Sequence, residues 1–478
     1  MSDEGTSATG GGEGRREGTG LRFERRMSDQ DALMWSIEQD PLLRSTITSV
    51  AILEGTPDRA RFEAQLERAT RTIPRLRQRV VSPPGNIAPP EYAIDPYFDL
   101  SYHVRWQRAP GTGTLRDVLD LAAPLAMSGF DRARPLWEFV IVDGLEDGRA
   151  ALVQKIHHSL TDGVGAMKLS MAFLDTEPDP PPDRSPMPPV PTPETPGALQ
   201  LWRSALAHQA RRRAGRAWRL PGTVLGTART PFASAQALAE TAASTARMLR
   251  PVREPLSPIM AGRSLSVRFD TLTASLPAMK AAARLVDGRL NDAFVAAVAG
   301  GLDRYHRRHA APVDELRMTM PINIRAGADA AVAGNQFVPA RFPIPIAITD
   351  PRERMAAVRD RVAEQRAEPA LGIVGPISGL LNRLPVTMST ALFGAMLKAI
   401  DVVTSNVPGA PVPIYVAGAR LAANFGFGPL SGAATNITLL SYLDDLHVAV
   451  STDRAAVPDP DVFVECLEEG FAEIEKLA

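Results

Sequence analysis

One cysteine, Cys466, stands among 478 residues. A single thiol makes neither an internal disulfide nor a thiolate metal cluster. It lies in a C-terminal amphipathic run, where a small buried side chain is expected rather than a reactive thiol. The chain has no excess of one charge either. Its 53 basic and 54 acidic side chains leave a formal net charge of -1. A phosphate-binding surface needs a strong positive bias, so no nucleic-acid partner is expected. No apolar run reaches the roughly 18 residues of a spanning helix. Residues 293–302 are too short, and residues 391–403 are interrupted by Lys398 and Asp401. The opening Met1-Ser2-Asp3-Glu4 leads into Gly- and charge-rich sequence to Leu21, without the apolar segment of a signal peptide. Residues 1–24 are therefore expected to be disordered, and the protein intracellular, soluble or surface-associated.

What is present is enough apolar sequence for two cores. The length suggests two lobes of roughly 180 to 280 residues, and 45% of the residues are hydrophobic. Residues 27–38 read as a capped helix, with Ser28 or Asp29 as the cap. Residues 45–53 read as a β-branched strand, 58–71 as a helix ended by Pro74, 102–108 as a short strand and 115–127 as a helix. Residues 136–143 and 151–156 suit adjacent strands across a polar turn. Residues 163–174 fit a helical spacing.

Ten prolines fall between Pro178 and Pro196. Each fixes φ and removes a donor, so an extended surface connector is expected there. A strongly basic stretch, residues 201–220, opens an Ala/Arg/Leu-rich segment of two or three helices. It could be a solvated face, an arm on the other lobe, or a contact with anionic membrane or phosphate. Beyond it, residues 264–269, 316–324, 342–348, 412–416, 435–440 and 446–450 read as strands, the proline-containing ones suited to sheet edges. Residues 272–285, 290–305, 350–367 and 461–477 read as helices, with Asn291 and Asp292 suited to a cap. The expected division is 1–24, 25–177, 178–260 and 261–478, an α/β or α+β protein whose two lobes each carry a mixed sheet.

The chemistry concentrates at His157, His158, Asp162 and Gly163, between an apolar strand and a helical run. Adjacent histidines at a strand end point to opposite sides, and His103, His208, His306, His309 and His447 sit in varied settings, so no metal site is expected. Neutral imidazole suits proton transfer near neutral pH. His158 would face a cleft while His157 packs in the fold. Asp162 would hold the loop, and Gly163 would leave room for substrate. No nucleophile elbow of the GxSxG form accompanies them.

The segment HHSLTDG matches the HHxxxDG signature of the coenzyme-A-dependent acyltransferases. The surrounding sequence resembles the bacterial wax ester synthase/diacylglycerol acyltransferase branch. MSDQDALMWSIE resembles that branch's opening motif. RPLWEFVIVDGL resembles its PLW motif, through Pro135, Leu136 and Trp137. LNDAFVAAVAGGL, with Asn291 and Asp292, resembles its Asn-Asp helix. SNVPGAP, with Ser405, Asn406 and Gly409, resembles its Asn-x-Pro-Gly loop. The pattern departs at Pro41-Leu42-Leu43-Arg44, where the family usually has proline-methionine-histidine. It departs again at Ala410, where a proline is frequent, and at Ser257, where asparagine is.

The resemblance implies two chloramphenicol-acetyltransferase-like lobes with a tunnel between them. It implies His158 as general base, a chiefly structural Asp162 and no acyl-enzyme. Long-chain acyl-CoA would be the co-substrate, with no bound cofactor, and diacylglycerol or a fatty alcohol the acceptor. A preorganised oxyanion site is then required, for which Ser405, Asn406 and amides near Gly409 are candidates. Asn291 and Asp292 either shape the channel or only cap their helix, and Pro135 and Trp137 either support the lobe core or touch the thioester. Insoluble acceptors imply peripheral contact with a membrane or lipid droplet. Two other readings remain: an acceptor that is a polyketide, sugar or carrier-bound group, and a non-catalytic acyl-CoA- or lipid-binding homologue.

Overall fold

Two six-stranded mixed sheets carry the fold. In a computed structural model the described residues are 23–160, 165, 169–181, 185–229, 252, 254–323, 337–368, 382 and 385–478, without the side chains of 215–229, 323, 337 and 338. The expectations for Asp162 and Gly163, and for residues 163, 164 and 166–168 of the helix expected at 163–174, lie outside them. So do the expected disorder of residues 1–22 and the helices expected beyond residue 229. Of the rest of the 163–174 segment, 165, 169 and 170 are helical and 171–173 form a turn.

The first sheet runs β11-β12-β1-β6-β5-β4. Its strands are β1 (Thr46–Leu53), β4 (Val104–Arg108), β5 (Trp137–Asp143), β6 (Ala150–His157), β11 (Tyr415–Val416) and β12 (Ala419–Phe427). β4 and β5 are parallel and the other pairs antiparallel. The second sheet runs β7-β14-β13-β10-β8-β9. It comprises β7 (Val267–Ser275), β8 (Glu315–Asn323), β9 (Phe337–Pro345), β10 (Val402–Val407), β13 (Thr435–Tyr442) and β14 (Asp445–Asp453). β10 is parallel to both β8 and β13. Proline-bearing β9 takes the edge, where a missing donor leaves no gap in the ladder. A two-stranded sheet, β2 (Gln78–Val81) with β3 (Glu91–Ile94), was not expected from the sequence.

The helices are α1 (Asp29–Ile37), α2 (Arg59–Thr72), α3 (Leu100–His103), α4 (Leu115–Met127), α5 (Ala198–Arg229), α6 (Leu276–Arg284), α7 (Leu290–Arg308), α8 (Pro351–Arg366), α9 (Val386–Leu397) and α10 (Pro460–Glu475). Ser28 caps α1 by accepting the Asp31 N–H at 3.0 Å. α7 crosses α10 closely because both carry glycine at the contact. A Cβ on Gly470 would lie 2.3 Å from the Ala297 carbonyl oxygen. Cys466 is buried in this packing, and burial pushes its thiol up to about 11, consistent with an inert core side chain.

Several expected bounds need correction: residues 102 and 103 belong to α3, and of residues 412–416 only 415 and 416 are strand. β7 continues to Ser275, so residues 272–275 are strand and α6 begins later. The alternation of Leu272, Thr273, Ala274 and Ser275 serves the sheet, and Pro277 sits in the first turn of the helix. Residues 405 and 406 belong to β10 rather than to a loop. Two strands of the later part of the chain, β11 and β12, lie in the first sheet. Strand β12 leaves the second half of the chain to pair with β1 of the first sheet, Phe427 opposite Thr48. There the Phe427 ring stacks on Phe269 of β7 at 3.9 Å and 13°. That stack lies in one buried cluster with Val50, Val140, Val153 and Ala449, so apolar packing joins the two sheets.

The proline-rich stretch has no helix or strand among its described residues. Arginines of α2 tie it down: Arg61 donates to the Pro178 carbonyl, Arg68 to Ser185 and Arg71 to Pro188. No helix of the described residues is long and apolar enough to cross a membrane.

Candidate active site

Strand β6 ends in the histidine pair. Its register places His157 opposite Thr46 of β1 and Ile156 opposite Trp137 of β5. The His157 N–H donates to the Leu136 carbonyl at 3.0 Å, and the His158 N–H donates to the Ser45 carbonyl at 2.8 Å. A turn follows, closed by the Leu160 N–H on the His157 carbonyl at 3.0 Å. The buried Tyr92 hydroxyl donates to the Ser159 carbonyl at 2.7 Å. Both strand neighbours and a third element therefore fix the backbone of the pair.

The two rings occupy different environments. His157 is fully buried, while His158 is half-buried. The edges of Trp35 and Phe130 meet the His157 ring at 5.6 and 5.9 Å. The Ser159 backbone N–H donates to His157 Nδ1 at 3.0 Å, and the Ser159 hydroxyl lies 2.7 Å from the same atom. A backbone N–H can only donate, so Nδ1 is the acceptor and the ring proton sits on Nε2. That Nε2 faces Glu38 Oε1 at 2.9 Å, an electrostatic contact between two largely buried side chains. Burial raises the Glu38 carboxyl, but the adjacent His157 and the Ser45 N–H together outweigh it and hold it below the ordinary value.

Pro135, Leu136 and Trp137 support this arrangement from inside the lobe. All three are buried. Trp137 donates from Nε1 to the Leu76 carbonyl at 2.8 Å and stacks on His103 at 4.5 Å. Leu136 supplies the carbonyl that receives His157.

The remaining candidates lie on the second sheet and its helices. Ser405 and Asn406 sit half-buried on β10, opposite Thr438 and Leu439 of β13. The Gly409 amide donates to Ser441 Oγ at 3.1 Å, which occupies it as a donor. A Cβ there would lie 1.8 Å from the Ser441 carbonyl oxygen, so close packing requires this glycine. Asp292 accepts the Arg289 N–H at 2.7 Å and closes the first turn of α7, the cap reading. Asn291 is not the cap residue, which is Arg289; its side chain donates to Met320 Sδ at 3.4 Å.

A cavity of about 210 Å³ opens beside α1, lined by Trp35, Gln39, Arg132, Gln209, Arg212 and Ser389 among others. Arg132 lies over the Trp35 ring at 4.2 Å. Trp35 thus borders both this cavity and the His157 ring. Sequence reasoning missed Glu38, Ser45, Ser159 and Tyr92 as partners of the pair. Glu38 alone carried a signal, as the acidic residue closing the opening motif.

The sequence profile of the wax ester synthase/diacylglycerol acyltransferase catalytic domain matches residues 27–294, and that of the WS/DGAT C-terminal domain matches residues 333–475. The chain belongs to the wax ester synthase/diacylglycerol acyltransferase family. Acyl-CoA-dependent O-acyl transfer is the activity typical of that family, and this member is an acyltransferase of lipid metabolism. It is 38% identical over 461 residues to a Mycobacterium tuberculosis protein assigned as a diacylglycerol O-acyltransferase, covering 95% of this chain and 93% of that one. A second protein of that organism, assigned likewise, is 31% identical over 417 residues, covering 84% and 87%.

Among solved structures, the wax ester synthase/diacylglycerol acyltransferase of Marinobacter aquaeolei VT8 superposes with a TM-score of 0.60 at 23% identity, covering 94% of this chain and 99% of that one. The first condensation domain of the CDA synthetase superposes with a TM-score of 0.58 at 16% identity, covering 95% and 96%. At these identities both likenesses concern the fold, two mixed-sheet lobes of this acyltransferase type.

Proposed function

We propose that this family member transfers a long acyl chain from acyl-CoA to the hydroxyl of diacylglycerol, or of a fatty alcohol, with His158 as the general base. The observation that carries the assignment is the division within the pair. His157 is buried and tied to Ser159 and Glu38, whereas His158 is half-buried and held by its backbone on Ser45. A ring nitrogen of His158 takes the hydroxyl proton as the oxygen attacks the thioester carbon. The C–O bond forms, the tetrahedral oxyanion collapses, the C–S bond breaks, and the proton passes to the CoA sulfur. Proton transfer of this kind contributes about 10²–10⁴-fold. No acyl-enzyme intervenes.

Ser405, Asn406 and amides next to Gly409 are the proposed oxyanion donors across a tunnel between the lobes. The Gly409 amide itself is the weakest of them, because Ser441 holds it. Asp162 and Gly163 keep the loop after the base in shape. Acyl-CoA is the co-substrate.

The acceptor arrives from a lipid phase. Leu199, Trp202 and Leu206 of α5 are 60%, 45% and 43% exposed, and Arg203, Arg211 and Arg213 are exposed beside them. Gln209 donates to the Ile87 carbonyl and Arg212 pairs with Asp29, which anchors the helix. An apolar stripe flanked by arginines suits an anionic membrane or lipid-droplet surface, which supports a peripheral position on the cytoplasmic side.

The test is to incubate the protein with long-chain acyl-CoA and a panel of diacylglycerols and fatty alcohols. CoA release is followed and the product identified by mass. Triacylglycerol or wax ester is the expected product. Folded protein that makes neither ester would overturn the proposed acceptors.

A further inference from the structure

Glu38 stands where a carboxylate is locally disfavoured. It caps the C-terminal end of α1, the negative end of the helix dipole. Its side chain is also largely buried, 10% exposed, which penalises the charged form. A residue that breaks two local preferences needs partners elsewhere in the fold.

Its partners are Ser45, the residue before β1, and His157, the last residue of β6. Oε1 accepts the Ser45 N–H at 2.6 Å and faces His157 Nε2 at 2.9 Å. Ser45 in turn receives the His158 N–H on its carbonyl at 2.8 Å. One oxygen of α1 therefore meets the strand neighbour that anchors His158 and the ring beside it. The Ser159 N–H on His157 Nδ1 leaves the ring proton on Nε2, facing that oxygen.

We infer that Glu38 is a positioning residue, which sets its charge against the His157 Nε2–H and holds the Ser45 anchor so that the neighbouring His158 is held for proton transfer. The inference rests on the assignment of His158 as base and adds a named supporting group to it. Glu38 acts through His157 and Ser45 and is not required to touch substrate. A neutral amide at this position keeps an acceptor for Ser45 but loses the charge facing Nε2.

The test combines kinetics with nitrogen NMR of histidine-labelled protein. In wild type the His157 Nδ1 resonance should be that of an unprotonated nitrogen and Nε2 that of a protonated one. Glu38→Gln should lower kcat about 10-fold and Glu38→Ala about 100-fold, the scale seen for groups that orient a functional imidazole. KM for acyl-CoA should stay within about 2-fold, since uniform binding is not removed. The His157 resonances should move in both variants. Should the alanine variant fail to fold, the glutamine variant carries the test alone. Wild-type kcat in a folded variant, or His157 resonances that do not move, would overturn the inference. His158→Ala, measured alongside, separates the two claims. Full turnover there overturns the base, whereas the His157 resonances report on Glu38 whether or not His158 is the base.

Discussion

His103 shows how one buried side chain links the core to pH. Its Nδ1 donates to the Trp137 carbonyl at 2.7 Å, and its Nε2 has no partner among the described residues. Protonation would place a charge and an unmet donor in the core. Burial therefore lowers its pKa to about 4. The unfolded chain takes up this proton near pH 6.5, and the folded protein does so only near pH 4. Between those values the unfolded state binds more protons. The contribution is thus fully present above about pH 6.5 and is lost as pH falls toward 4, by roughly 3 kcal/mol in all. Urea unfolding of wild type and His103→Phe at pH 7 and pH 5 checks this. The phenylalanine variant should lose less stability over that interval. Equal losses would count against the assignment.

Element α5 separates two uses of a basic amphipathic helix. Leu201 and Ala205 face inward, while Leu199, Trp202 and Leu206 face out. Trp202→Glu combined with Leu206→Glu should weaken sedimentation with anionic phospholipid vesicles at least 5-fold, because it removes apolar contact and adds repulsion. Turnover of a water-dispersed short-chain acceptor should be unchanged. Vesicle binding equal to wild type would remove α5 from the lipid contact.

The same scale explains what the sequence made legible. Helices α1, α2 and α4 and strands β1, β5 and β6 followed from periodicity and caps, because their burial pattern is local. The loop reading of residues 405 and 406 failed because Pro408 and Gly409 dominate the motif while its first residues pair within the sheet. Strand β12, ARLAANFGF, escaped notice because small residues and glycine give little alternation, and its partner β1 lies far away in sequence. The histidine pair was legible from HHSLTDG. Glu38 as its partner was not, since only the fold brings α1 to the end of β6.

Across the whole molecule, β12 makes the two sheets one unit. The Phe269–Phe427 stack and the cluster around it belong to both sheets. Phe427→Ala should cost about 3–5 kcal/mol. Wild type should unfold in a single cooperative transition, followed equally by circular dichroism and tryptophan fluorescence. Two separated transitions would show lobes that fold independently, contrary to this topology. A joined pair of sheets also keeps the proposed oxyanion donors of β10 at a constant position relative to the proposed base, which follows β6, as preorganised electrostatic stabilisation requires.

The central claim is the division of labour between adjacent histidines. The most direct measurement is kcat for CoA release by His158→Ala protein whose thermal unfolding matches wild type. A loss of about 10²–10⁴-fold is predicted, the scale of general-base assistance. A folded His158→Ala protein with kcat within about 2-fold of wild type would contradict the claim, since that residual rate leaves no room for a base at this position.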